Sequence, residues 1–200
     1  LGGDTGLTNG AILVTAAMGS TAVHIQGGTL TSAQGSELTV HQYNTQAVLR
    51  ISSILTNTLA GGALTLTKTG PGTLVLSDVR NTFSGTIYVI GGTLEIESGQ
   101  AFGATNRNVY VYNGATLRLR GQQSFGIAGS NSLFFNEAGG TIDVPDAGGR
   151  TVFIGRTGAQ AHGVLTKTGK GMFTIAGNWS MMANESFLDD LEKTFVVKEG

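Results

Sequence analysis

"LTLTKTGPGTLVLS", Leu64 to Ser77, returns later as "VLTKTGKGMFTIAG", Val164 to Gly177. Lys68-Thr69-Gly70 maps onto Lys167-Thr168-Gly169. A shorter echo surrounds both copies: "GGTLTS" from Gly27, "GGALTL" from Gly61, "GGTLEI" from Gly91, "GATLRL" from Gly114 and "GGTIDV" from Gly139. A chain that keeps rewriting one turn-plus-strand unit is a repeat protein, and the repeat decides the fold.

The units read as β. Short runs alternate apolar and polar residues between Gly, Asn and Ser: "TLVLS" from Thr73, "TIYVI" from Thr86, "TLEIE" from Thr93, "VYVY" from Val109, "TLRLR" from Thr116 and "TIDV" from Thr141. Thr, Val, Ile and aromatic residues suit a pleated, half-buried surface. The Gly doublets precede strands, where the chain must turn sharply. Successive doublets at positions 92, 115, 140 and 163 lie 23, 25 and 23 residues apart, the length of one coil of a parallel β-helix. A second strand series, marked by Tyr88, Tyr110, Phe134 and Phe153, runs beside the first at intervals of 22, 24 and 19.

Period-2 alternation then sorts the side chains. Leu94, Ile96, Leu117, Leu119, Ile142 and Val144 point inward, and Glu95, Arg118 and Asp143 form one outward column of alternating charge sign. The same rule turns Tyr88, Tyr110, Phe134 and Phe153 outward. Such a column of rings serves either as a stabilising ladder or as an apolar face for sugars or a partner, and it is the candidate binding site of the chain. The expected fold is all-β, a single solenoid of roughly eight or nine coils spanning residues 1–200. It carries a short helical insertion at "NESFLDDLEK", Asn184 to Lys193, and both ends read as cut from a longer repeat protein.

Composition narrows the function classes. Gly makes up 32 of 200 residues, while Pro contributes 2 and Cys none, so neither collagen nor a disulfide scaffold nor thiol chemistry is in play. Charged residues are 12% and the net charge is −1, which offers no basic field for nucleic acid or an anionic membrane. No apolar run is long enough to span a bilayer, so membrane insertion by this segment is not expected.

Motifs that carry chemistry elsewhere are absorbed by the repeat. Lys-Thr-Gly occurs in serine β-lactamases, but their Ser-x-x-Lys partner is absent. "GVLTKTGKG" lacks the Gly-Lys-Ser/Thr ending of a phosphate loop. His24, His41 and His162 have no ligand-like spacing, so neither metal nor cofactor is expected. Asp143, Asp146 and Arg150 make the best case for an enzyme, because clustered carboxylates beside a base are what polysaccharide cleavage needs. Asp146 sits in "PDAGG", however, which is a turn-former.

Residues 51–103 resemble the autotransporter-associated β-strand repeat. Its Leu-Thr-Lys-x-Gly-x-Gly-Thr-Leu step stands at Leu66 to Leu74, its Asn-Thr-aromatic-Ser/Thr-Gly step at Asn81 to Gly85, and its Gly-Thr-Leu step at Gly92 to Leu94. The resemblance implies a right-handed parallel β-helix from an exported bacterial passenger region, displayed extracellularly at the cell surface. It implies a stalk or adhesin that is not an enzyme and that contacts glycans or proteins of host or neighbouring cells. End-to-end or side-by-side self-association is the further expectation, since sheet ends expose unpaired strands. The alternative on the same fold is a carbohydrate-active lyase or hydrolase.

Overall fold

The computed structural model describes residues 4–7, 10–32, 36–78, 80–104, 108–125, 132–136, 138–153, 156–159, 164–175 and 195–197. They form short strands in chain order: β1 Asp4–Leu7, β2 Ala11–Val14, β3 Val23–Ser32, β4 Glu37–Gln42, β5 Leu49–Leu55, β6 Thr65–Thr69, β7 Thr73–Leu76, β8 Ile87–Val89, β9 Thr93–Ile96, β10 Asn108–Val111, β11 Thr116–Leu119, β12 Gln122–Phe125, β13 Ser132–Phe135, β14 Gly140–Asp143, β15 Arg150–Phe153, β16 Arg156–Ala159, β17 Leu165–Thr168, β18 Met172–Ile175 and β19 Phe195–Val197. Among the described residues the helical content is two 3₁₀ turns, at Ala16–Met18 and Gly99–Phe102.

Every strand pairs in parallel with the equivalent strand one coil away. The long sheet runs β1-β3-β5-β7-β9-β11-β14-β17-β19, and a second sheet runs β2-β4-β6-β8-β10-β13-β16. The protein is an all-β parallel β-solenoid. Successive sequence units become neighbours in space because each Gly-rich turn redirects the chain from one sheet to the other, and the next coil lands in register.

The core follows from alternation. Leu74, Leu94, Leu117 and Ile142 occupy one inward column of the long sheet, linked partner to partner, and all are buried. Leu76, Ile96 and Leu119 repeat the pattern two residues on. From the second sheet, Val40, Val89, Val111 and Phe135 face them. All six inward positions read from the sequence, Leu94 through Val144, are in this core.

Two expectations are corrected. First, about five turns close with packed side chains on both sheets, from Glu37 to Asp143, fewer than eight or nine. Dividing the chain by its period counts every Gly step as a coil and cannot register whether facing strands are packed. At the N-terminal side Ala11–Val14 and the first half of Val23–Ser32 are largely exposed, so the long sheet extends past the closed core. Second, the solenoid has a third sheet, β12-β15-β18, which the two-series reading did not contain. Asn184 to Lys193, the expected helical insertion, lies outside the described residues.

Candidate functional site

The aromatic column exists, but it is shorter and more enclosed than alternation implied. Tyr88, Tyr110 and Phe134 are register partners on β8, β10 and β13. Their rings stack at centroid distances of 4.9 and 4.8 Å with interplanar angles of 15° and 20°. Tyr112 adds an edge contact to Tyr110 at 5.5 Å. Burial raises the Tyr110 hydroxyl above the usual phenol range, with the neighbouring Tyr88 adding to it, and does the same for Tyr112. Tyr88 and Tyr110 are half-buried, and Phe134 is buried at 9%.

Phe153 does not belong to the column. The register partner beyond Phe134 is Gly158 on β16, whereas Phe153 pairs with Phe125 and Ile175 in the third sheet. The interval of 19 residues to Phe153, short against 22 and 24, was the signal for this, because Gly158 falls 24 residues after Phe134. Stacking also changes what the rings can do. Each flat face inside the column is already covered by its neighbour, so the column presents ring edges and hydroxyls to solvent rather than the open faces a sugar stacks on.

The charged column is as ordered but not as exposed. Arg118 pairs in register with Glu95 on one side and Asp143 on the other. Its Nε donates to Asp143 Oδ2 at 2.6 Å and its Nη1 to Glu95 Oε2 at 3.3 Å. Arg120 completes a lattice, donating to Glu95 Oε1 at 2.7 Å and to Asp146 Oδ1 at 3.1 Å. The Glu95 hydrogen bond lifts the Arg120 guanidinium above its ordinary range. Asp143 also accepts from Thr168 Oγ1, and Asp146 from the Gly121 main-chain N–H. Glu95 and Asp143 are 7% and 9% exposed, because the long Arg side chains lie over them. In the enzyme constellation of Asp143, Asp146 and Arg150, both carboxylates are thus already committed to Arg118, Arg120 and backbone. Arg150 is exposed, and its main-chain N–H donates to Gly121 O.

His24 and His41 each bond a hydroxyl across coils, Ser52 and Thr69 at 2.7 Å. His162 lies outside the described residues.

The feature that sequence reasoning missed is the repeat's own lysine. Lys68 stands in an inward column between Val40 and Val89 and is completely buried. Its Nζ donates to the main-chain oxygens of Thr69 at 2.9 Å, Gly70 at 2.8 Å and Gly91 at 2.9 Å. Burial pushes this ammonium down to about 8, and the three acceptors pull the other way. Lys167 repeats the arrangement, buried and donating to Gly169 O. Alternation alone signals this, since Lys68 shares parity with Leu66 and Lys167 with Leu165, but a lysine is not read as core without a partner in view.

The Asn-Thr-Phe-Ser-Gly step is likewise structural. Phe83 is fully buried, and Asn81 accepts from Leu55 N–H and donates to Ala101 O, tying three coils together. Asn57 accepts from the N–H groups of Leu64 and Ser84.

Comparison with known proteins agrees with this geometry. The family model of the passenger-associated-transport-repeat matches residues 66–96, the span from β6 through β9. The adhesin BmaC autotransporter of Brucella suis biovar 1 (strain 1330) is 46% identical over 59 residues, which is 30% of this chain and 2% of the adhesin's length. No solved structure matches the chain. Residues 66–96 are therefore similar to the passenger-associated-transport-repeat, and the matched stretch spans a small part of the adhesin's length.

Proposed function

We propose that this chain is a stalk and adhesive segment of an exported bacterial surface protein, a right-handed parallel β-helix displayed outside the cell. The observation that carries the reading is the use of the repeat residues. Lys68, Asn81, Phe83 and Lys167 are all buried or engaged in holding one coil to another. A right hand is the form that parallel crossovers take in nearly all sheets. The passenger repeat and the adhesin relative support surface display and adhesion. Against a lyase or hydrolase stands the pairing of Glu95, Asp143 and Asp146 with Arg118 and Arg120, which engages each of these three carboxylates in an ion pair.

Any partner, glycan or protein, would meet the second sheet's outer face, where Tyr88, Tyr110 and Tyr112 are half-buried. The test is adhesion to cells or immobilised glycans by the chain and by its Tyr88→Ala and Tyr112→Ala double variant, with sheet content followed by circular dichroism. Loss of adhesion with the sheet intact supports the face. Unchanged adhesion makes the rings a ladder only. Polysaccharide depolymerisation that Asp143→Asn abolishes would overturn the non-enzymatic reading.

A further inference from the structure

The corner around Lys68 is built from acceptors. Three main-chain oxygens, of Thr69, Gly70 and Gly91, converge on one point at 2.8–2.9 Å. Two belong to the turn that follows Lys68 and the third to the equivalent turn of the next coil. Gln42, one coil earlier, has its main-chain oxygen against Gly70 and is itself fully buried. Its side-chain Oε1 has no hydrogen-bond partner among the described residues. Three main-chain oxygens thus meet one cationic donor, the Lys68 ammonium. The column neighbours of Lys68 are Val40 and Val89, and among the described residues no carboxylate is bonded to its ammonium in place of the carbonyls.

We propose that this corner is a monovalent-cation cage of main-chain carbonyls, filled in the native chain by the Lys68 ammonium, and that removing the side chain leaves a binding site for free ammonium or potassium. Convergent carbonyl oxygens are the ligand set by which proteins replace the hydration shell of a monovalent cation. Oxygens spaced at hydrogen-bond distance fit ammonium and ions of potassium's size. Mg²⁺ demands about 2.0–2.1 Å and six ligands, and Ca²⁺ about 2.3–2.6 Å with carboxylates, so neither fits. At the Lys167 corner, on a different sheet, the ammonium likewise donates to a main-chain oxygen, that of Gly169.

The experiment is chemical rescue of the 200-residue chain at pH 7. Lys68→Ala opens the cage, while Lys68→Met removes the charge but keeps the stem filled. Thermal unfolding is followed by circular dichroism in ammonium chloride, potassium chloride, sodium chloride and tetramethylammonium chloride at equal ionic strength. Lys68→Ala should gain several degrees in Tm in ammonium, and less in potassium, over its value in tetramethylammonium. Native chain and Lys68→Met should show no such preference. Equal Tm for Lys68→Ala in all four salts overturns the proposal, as does an equal ammonium gain in Lys68→Met. If Lys68→Ala does not fold in sodium chloride, refolding from denaturant becomes the readout. Recovery of the sheet spectrum in ammonium alone supports the cage, and failure in every salt overturns it.

Discussion

The two copies of the Lys-Thr-Gly unit share a sequence but not a place. In the first, the strand of Lys68 lies in the second sheet and the chain turns into the long sheet at Thr73–Leu76. In the second, the strand of Lys167 lies in the long sheet and the chain turns into the third sheet at Met172–Ile175. The local devices are nevertheless the same. Both lysines are buried and donate to the glycine two residues on. Gly70 and Gly169 have φ of +78° and +77°, and a Cβ on either would sit 2.5 or 2.4 Å from a main-chain oxygen of the preceding coil, Gln42 or Val144. The unit thus specifies a corner rather than a wall. In this chain it serves two different pairs of sheets, second to long and long to third.

The strongest challenge to this equivalence is to fill the two turns. Gly70→Ala and Gly169→Ala should each destabilise the chain by roughly 3–4 kcal/mol in denaturant unfolding, since positive φ and a carbonyl clash act together. A near-neutral Gly169→Ala beside a damaging Gly70→Ala would mean the second corner is a different turn.

Next in size is the column that links the corners. Leu117 sits between Leu94 and Ile142, two steps before Lys167, and Leu117→Ala should cost ~2–5 kcal/mol through lost burial and a cavity. Unfolding within a degree or two of the parent would remove Leu117 from the core. Arg118→Ala should cost about 1–2 kcal/mol, more than an exposed pair, because Glu95 and Asp143 are nearly buried beneath it. Arg120 and Thr168 keep each carboxylate partly bonded, which limits the loss.

A last effect is read by pH at Lys68. The folded Lys68 ammonium sits lower, about 8, than the ordinary 10.5, so between these values the unfolded chain binds more protons. The Lys68 contribution therefore rises with pH through that window. The native chain should gain stability relative to Lys68→Met from pH 8 to 10.5, and a flat difference would show that the carbonyls hold the ammonium at its usual value.

Periodicity made the inward columns legible, Leu94, Leu117 and Ile142 among them, because Gly doublets fix the register and parity does the rest. The charge column was legible for the same reason, but its enclosure was not. Exposure depends on how Arg side chains drape over carboxylates, and spacing does not encode that. Tyr88, Tyr110 and Phe134 were found by period, while Phe153 was misplaced because a turn at Pro145–Gly149 feeds a third sheet and shortens the interval to 19. Lys68 escaped because its partners are main-chain oxygens, which no side-chain pattern reveals.

The chain has no cysteine, so engineered pairs report register directly. In parallel register, partner residues lie close enough for a disulfide, whose Cα separation is about 4.4–6.8 Å. Thr166 pairs with Thr141 on the long sheet, and both are half-buried on the outer face. Oxidative cross-linking of Thr141→Cys with Thr166→Cys, compared with Phe134→Cys with Thr166→Cys, asks which sheet the second Lys-Thr-Gly strand has joined. If the unit is a corner used between different sheets, the first pair forms an intramolecular disulfide and the second does not. A disulfide in the second pair alone would place both copies on one sheet and contradict the account.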